Sequence, residues 1–80
     1  MARYFFHLRD GTSEELDPDG VELQDLQAVK EAVLTAARDT LTHELRNGVL
    51  DLRFRIDVED LGGALVYSLP LGSSFTIIRG

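Results

Sequence analysis

Residues 51–71 read DLRFRIDVEDLGGALVYSLPL, and the alternation in this stretch decides the fold. Leu52, Phe54, Ile56 and Val58 fall on one face of a strand, and Arg53, Arg55, Asp57 and Glu59 fall on the other. A period of two places one set against a core and the other against water. Asp60-Leu61-Gly62-Gly63 supplies a turn, after which Leu65, Tyr67, Leu69 and Leu71 alternate with Ala64, Val66 and Ser68. A two-residue hairpin loop would set the two apolar rows opposite one another. Pro70 predicts that the second strand ends there or lies at a sheet edge, because proline cannot donate to a ladder.

Upstream, residues 3–9 repeat the pattern, with Tyr4, Phe6 and Leu8 on one side and Arg3, Phe5, His7 and Arg9 on the other. Asp10-Gly11 turns the chain, and residues 12–23 are irregular, with one short return strand expected at 14–16 or 20–23. Asp25 is placed as an N-cap. From Leu26 the spacing is helical through Val29, Val33, Ala36 or Ala37, Thr40, Leu41 and Leu45, with Gln27, Lys30, Glu31, Arg38, Asp39 and Thr42 opposite. Asn47-Gly48 is the predicted stop. One apolar helix stripe and three alternating strands must cover each other. The expectation is an α+β two-layer sandwich, β(β)αββ, with one amphipathic helix on one face of a mostly antiparallel sheet of three to four strands. Residues 1–71 form a single domain in this reading, and 72–80 form a tail that adds a strand or docks on a partner.

Composition narrows function by exclusion. The 80 residues carry a formal charge of −6 and no cysteine, so thiolate metal sites, thiol nucleophiles and disulfides are ruled out. The acidic balance and the lack of a basic stripe argue against nucleic acid. No long uncharged apolar run predicts a membrane span. His7 and His43, the only histidines, sit on different elements. Asp17-Pro18-Asp19-Gly20 lacks the ligand spacing of a calcium loop, and no phosphate-cradling glycine motif is present. Ser68, His7 and Asp57 share a predicted face, but no nucleophile elbow or oxyanion hole accompanies them. No cofactor, metal or catalytic residue is therefore assigned, and an enzyme is not expected.

Two surfaces stand out instead. The sheet face away from the helix carries Phe5, His7, Arg53, Arg55 and Val66, an aromatic and arginine-rich set of the kind enriched at interfaces. Parity points His7 outward on this face, so it is expected to be unburied. The segment from Asp10 to Asp25 carries seven acids and no base, with Glu14, Glu15, Asp17 and Asp19 as the candidate partner contacts. The primary expectation is a non-catalytic interaction module that self-associates as a homo-oligomer through the outer sheet face or a sheet edge. A second reading is an antitoxin-like or regulatory partner that binds a basic protein through the acidic segment. A third is a small anionic ligand or substrate held by His7 with Arg53 or Arg55.

The stretches MARYFFHLRDG, DPDGVEL with its following DLQAVKEA, and DVEDLGGALVYSLPL together resemble a family of small uncharacterised proteins of rhizobial and related alphaproteobacteria. The resemblance runs nearly to Leu71. Its strand opening includes His7, Arg9, Asp10 and Gly11, while the glycine-rich turn departs from the family's acidic-Gly turn. It implies a bacterial, cytoplasmic protein and carries no activity to transfer.

Overall fold

The first strand, β1 (Ala2–Arg9), has both of its edges paired. On one edge it meets β4 (Arg55–Asp60) antiparallel, from Tyr4 opposite Asp60 to Arg9 opposite Arg55. On the other edge it meets two short strands in turn. These are β2 (Glu14–Glu15), with Arg9 opposite Glu14, and β3 (Val21–Leu23), with Tyr4 opposite Val21. The strand β5 (Leu65–Pro70) completes the order β2-β1-β4-β5, with β3 sharing the β1 edge with β2. We describe this from a computed structural model in which residues 1–46, 48 and 53–73 are placed. The sheet has five strands rather than three or four, because strands form at both places where a single return strand was expected.

The helix α1 (Leu26–Arg46) lies between β3 and β4 in the chain and covers one face of the sheet. Asp25 caps it as expected. Its Oδ1 accepts the Ala28 amide at 2.8 Å, and its carbonyl accepts the Val29 amide at 3.1 Å. Val29, Val33, Ala37 and Leu41, four residues apart, are buried, whereas Gln27, Lys30, Glu31, Arg38, Asp39 and Thr42 face solvent. They pack on Ile56, Val58 and Leu71, with Tyr4, Phe6, Leu8, Phe54, Tyr67 and Leu69 at the margins. Each fully buried valine or leucine contributes about 1.5–3 kcal/mol relative to exposure. Leu26 is exposed rather than part of this stripe. The expected positions of Leu45, Asn47 and Leu52 lie outside what is described.

The β4–β5 hairpin departs from the two-residue loop. Leu61, Gly62 and Gly63 make the turn, closed by Asp60 donating its amide to the Ala64 carbonyl at 2.9 Å. The Asp60 carboxylate accepts the Gly62 and Ala64 amides, and Gly63 takes φ +85°, a conformation open to glycine. The register then shifts. Val58 faces Tyr67 but Glu59 faces Leu65, which leaves an extra residue at Leu65–Val66. This bulge corrects one expectation, because Leu65 sits opposite outward-facing Glu59 and is 60% exposed instead of joining the core row. Pro70 ends β5, which is the edge strand, in line with expectation. The chain continues as η1 (Leu71–Ser73), where Leu71 is fully buried, so its apolar character is used in the core. Residues 74–80 lie outside the described part.

Candidate functional site

The sheet face away from α1 is built from alternate residues of three strands. Phe5, His7 and Arg9 come from β1, Arg55, Asp57 and Glu59 from β4, and Ser68 from β5. Cross-strand register sets His7 opposite Asp57, and Asp57 opposite Ser68. Arg9 is the hub. Its Nε donates to Glu14 Oε2 at 2.8 Å, and its Nη1 donates to Glu59 Oε2 at 2.9 Å and to Asp57 Oδ2 at 3.1 Å. These bonds, Glu14 first and then Glu59 and Asp57, raise the pKa of its guanidinium.

Asp57 is only 4% exposed. Arg55 Nε lies 3.1 Å from both of its oxygens, and the Ser68 hydroxyl donates to Oδ1 at 2.7 Å. Burial pushes this carboxyl up, but the Ser68, Arg9 and Arg55 contacts outweigh it and hold the net value below the ordinary carboxylate range. Asp57 is therefore an ionised buried carboxylate with its charge matched by two arginines.

His7 lies on the face that parity predicts, yet it is buried, with 8% exposed, and this corrects the expectation that it is open to solvent. The cover comes from residues 17–20, which form a strap over the sheet. The Asp17 amide donates to His7 Nδ1 at 3.1 Å. Since Nδ1 accepts, the neutral ring carries its proton on Nε2, which faces Glu59 Oε1 at 3.5 Å. The Asp17 carboxylate accepts the Phe6 amide at 3.2 Å, the Gly20 amide at 3.2 Å and the Asp19 amide at 3.3 Å. Burial raises the Asp17 carboxyl, and these amides bring it to a net depression. Arg3 anchors the far end of the strap by donating to the Asp19 carbonyl at 2.8 Å and to Glu22 at 3.2 Å.

Gly20 closes the strap onto Phe5. It takes φ +70°, and a Cβ there would lie 2.8 Å from the Tyr4 carbonyl oxygen and 2.9 Å from the Phe5 ring. The Phe5 and His7 rings run nearly parallel, 6.3 Å between centroids at 9°. Phe5 is thus half-buried by the chain's own strap rather than bare.

Of the residues expected on an interaction face, Phe5, His7 and Arg55 do share one region, but each has a partner within the chain. Arg53 is exposed and lies before β4, and Val66 is half-exposed at the bulge. In the acidic segment Glu14 binds Arg9 and Asp17 holds the strap, while the side chains of Glu15 and Asp19 face solvent. Arg9, Glu59, Asp57 and Ser68 complete the network and were not among the expected site residues. The signal for them was opposite charge at matching parity on two strands.

Ser68, His7 and Asp57 share one face but are not linked in series. Ser68 donates directly to Asp57, and His7 is held by Asp17 and faces Glu59. Among the described residues no buried side-chain nitrogen or oxygen lacks a hydrogen-bond partner, and no cluster has the make-up of a metal site. A cleft of about 280 Å³ beside Arg9, Ser13, Glu14 and Arg55 marks one end of the network. At the other end of the sheet, a hollow of about 590 Å³ is lined by Met1, Tyr4, Asp60, Leu61 and Val66, among others.

A family model described as a domain of unknown function, DUF6894, matches residues 3–72. The chain belongs to the DUF6894 family. The matched span of this DUF6894 domain runs from the start of β1 into η1 and takes in the strap and the whole charged network. No curated protein and no solved structure matches the DUF6894 chain. Among the described residues no helix is long and apolar enough to cross a membrane.

Proposed function

We propose that this DUF6894 domain is a non-catalytic protein-interaction module that self-associates through the part of the sheet left open by the helix and the strap. One observation carries this reading. Leu61, Leu65 and Val66 are 76%, 60% and 36% exposed at the hairpin end of the sheet, with exposed Met1 beside them. Contiguous exposed apolar residues rimmed by polar ones mark interaction sites. The polar groups of the outer face are bonded within the chain, Arg9 to Glu14, Asp57 and Glu59, and Asp57 to Arg55 and Ser68, which leaves the apolar hairpin end as the face's unsatisfied surface. Cytoplasmic action goes with it, as the alphaproteobacterial resemblance implies.

The two other readings have less support. Glu14 and Asp17, two of the acids offered to a basic partner, are committed to Arg9 and to the strap. An anionic ligand would meet Arg9 and Arg55 already faced by Glu14, Asp57 and Glu59, an excess of negative charge. Sedimentation over a dilution series tests the proposal. The expected outcome is a mass that rises with concentration and falls to the monomer value when Leu65→Glu and Val66→Glu are combined. A monomer at every concentration would sink it.

A further inference from the structure

The β5 edge is the uncharged flank of a charged molecule. Residues 64–71, ALVYSLPL, contain no acid and no base in a chain of net charge −6. Among the described residues β5 pairs with β4 alone, and its other edge meets none of them. The direction of that edge can be worked out. Leu71 donates its amide to the Phe54 carbonyl at 3.0 Å, which turns its backbone towards the β4 side. Alternation along an antiparallel ladder then turns Leu69 and Tyr67 the same way, and turns Ser68 and Pro70 outward. Pro70 therefore costs no ladder bond, and Ser68 offers both an amide and a carbonyl to the outside.

Resting on the self-association reading, we propose that the partner is a second copy of this chain, added antiparallel to β5 about a two-fold axis at Ser68. The two sheets become one continuous sheet, with Ser68 of each copy exchanging its two backbone bonds with the other. Charge selects this arrangement. The β4–β5 hairpin has Arg55 beside Pro70 at one end, and Glu59 and Asp60 at the Leu65 end. Antiparallel addition sets the basic end of one copy towards the acidic end of the other, whereas parallel addition brings like ends together. Elsewhere the net charge keeps copies apart, so the uncharged strand is where approach costs least. The opposite sheet edge presents exposed Glu14, Glu15 and Glu22 and is interrupted at the strap. Pro70 and the bulge at Leu65–Val66 limit the open window on β5 itself. Pairing thus closes at two copies and does not propagate.

The chain has no cysteine, so single-cysteine variants report without background. Ser68→Cys places its thiols on the axis, where ladder partners are about 5.5 Å apart between Cα atoms, within disulfide range. Val66→Cys would be about 13 Å from its own copy, four ladder positions away. On mild oxidation Ser68→Cys should run as a covalent dimer on a non-reducing gel, and Val66→Cys should not. Val66→Lys, a charge on the edge, should raise the concentration at the dimer midpoint about tenfold or more with the circular dichroism unchanged. Ser68→Ala, which loses the same bond to Asp57, should leave the dimer midpoint unchanged and shows whether that bond, rather than the interface, decides the outcome. A dimer that Ser68→Cys does not crosslink would overturn the β5 interface, whether or not it responds to Val66→Lys, and would leave self-association through another surface standing. A strict monomer would overturn both, and the edge would then belong to another protein or to residues 74–80.

Discussion

Asp17 occupies a gap in a sheet edge. Between β2 and β3 the chain leaves β1, and the Phe6 amide would face no carbonyl there. The Asp17 carboxylate takes that place, and its own amide secures His7 in the same turn of chain. The strap it forms is tight only where Gly20 passes Phe5, which gives a test. Gly20→Ala sets a Cβ against the Tyr4 backbone at 2.8 Å and strains a positive φ, so it should destabilise by about 1–3 kcal/mol in urea unfolding. Gly11→Ala is the comparison, since Gly11 has φ +95° and nothing within 4 Å of the added methyl. Its cost is backbone strain alone, about 1 kcal/mol. Equal costs for the two variants would mean that the strap does not press on Phe5.

At the scale of the elements, α1 depends on its first turn. Removing the carboxylate in Asp25→Ala leaves the Ala28 amide without its acceptor and should cost about 1 kcal/mol, while exposed Asp39→Ala should change the urea midpoint little. The helix was legible from sequence because its signals are local: a cap at Asp25 and apolar residues at 29, 33, 37 and 41. The alternation in β1 and β4 was legible for the same reason. The hairpin register was less so, because Leu65 and Val66 are both apolar and ALVYSL reads the same with or without a bulge. His7 was misjudged because parity reports the face of a sheet and not what lies over that face. Its cover comes from Asp17, ten positions away, through hydrogen bonds that no periodicity records. The charged network was half visible, as the alternation of Arg55, Asp57 and Glu59, but its hub at Arg9 depends on strand order.

For the whole molecule, acid is the informative perturbation. Asp10, Asp17 and Asp57 all lie below the ordinary value of 3.8 in the folded state, Asp10 at about 2 through the amides of Ser13 and then Thr12. A depressed carboxyl binds its proton more weakly when folded, so the unfolded chain takes up protons first as pH falls. Their contribution is complete above the unfolded value, declines once the pH drops below 3.8, and is lost through the folded values. The urea midpoint should stay level from neutral pH to about pH 5 and fall below about pH 4. A midpoint that holds down to about pH 3 would mean that these carboxylates do not stabilise the fold.

The order of synthesis gives the acidic segment a further role. β1 is made before the other strands and carries three aromatic residues in succession, yet β4, its longer partner, follows only after the entire helix. For that interval a nascent chain exposes an apolar strand with no distant partner available, a condition that favours aggregation. β2 and β3 lie within a few residues of β1 and close on its edge at low loop cost, and the strap settles over Phe5 and His7 as they do. The seven acids between Asp10 and Asp25 also put like charge on that edge, and like charge disfavours the approach of a second chain.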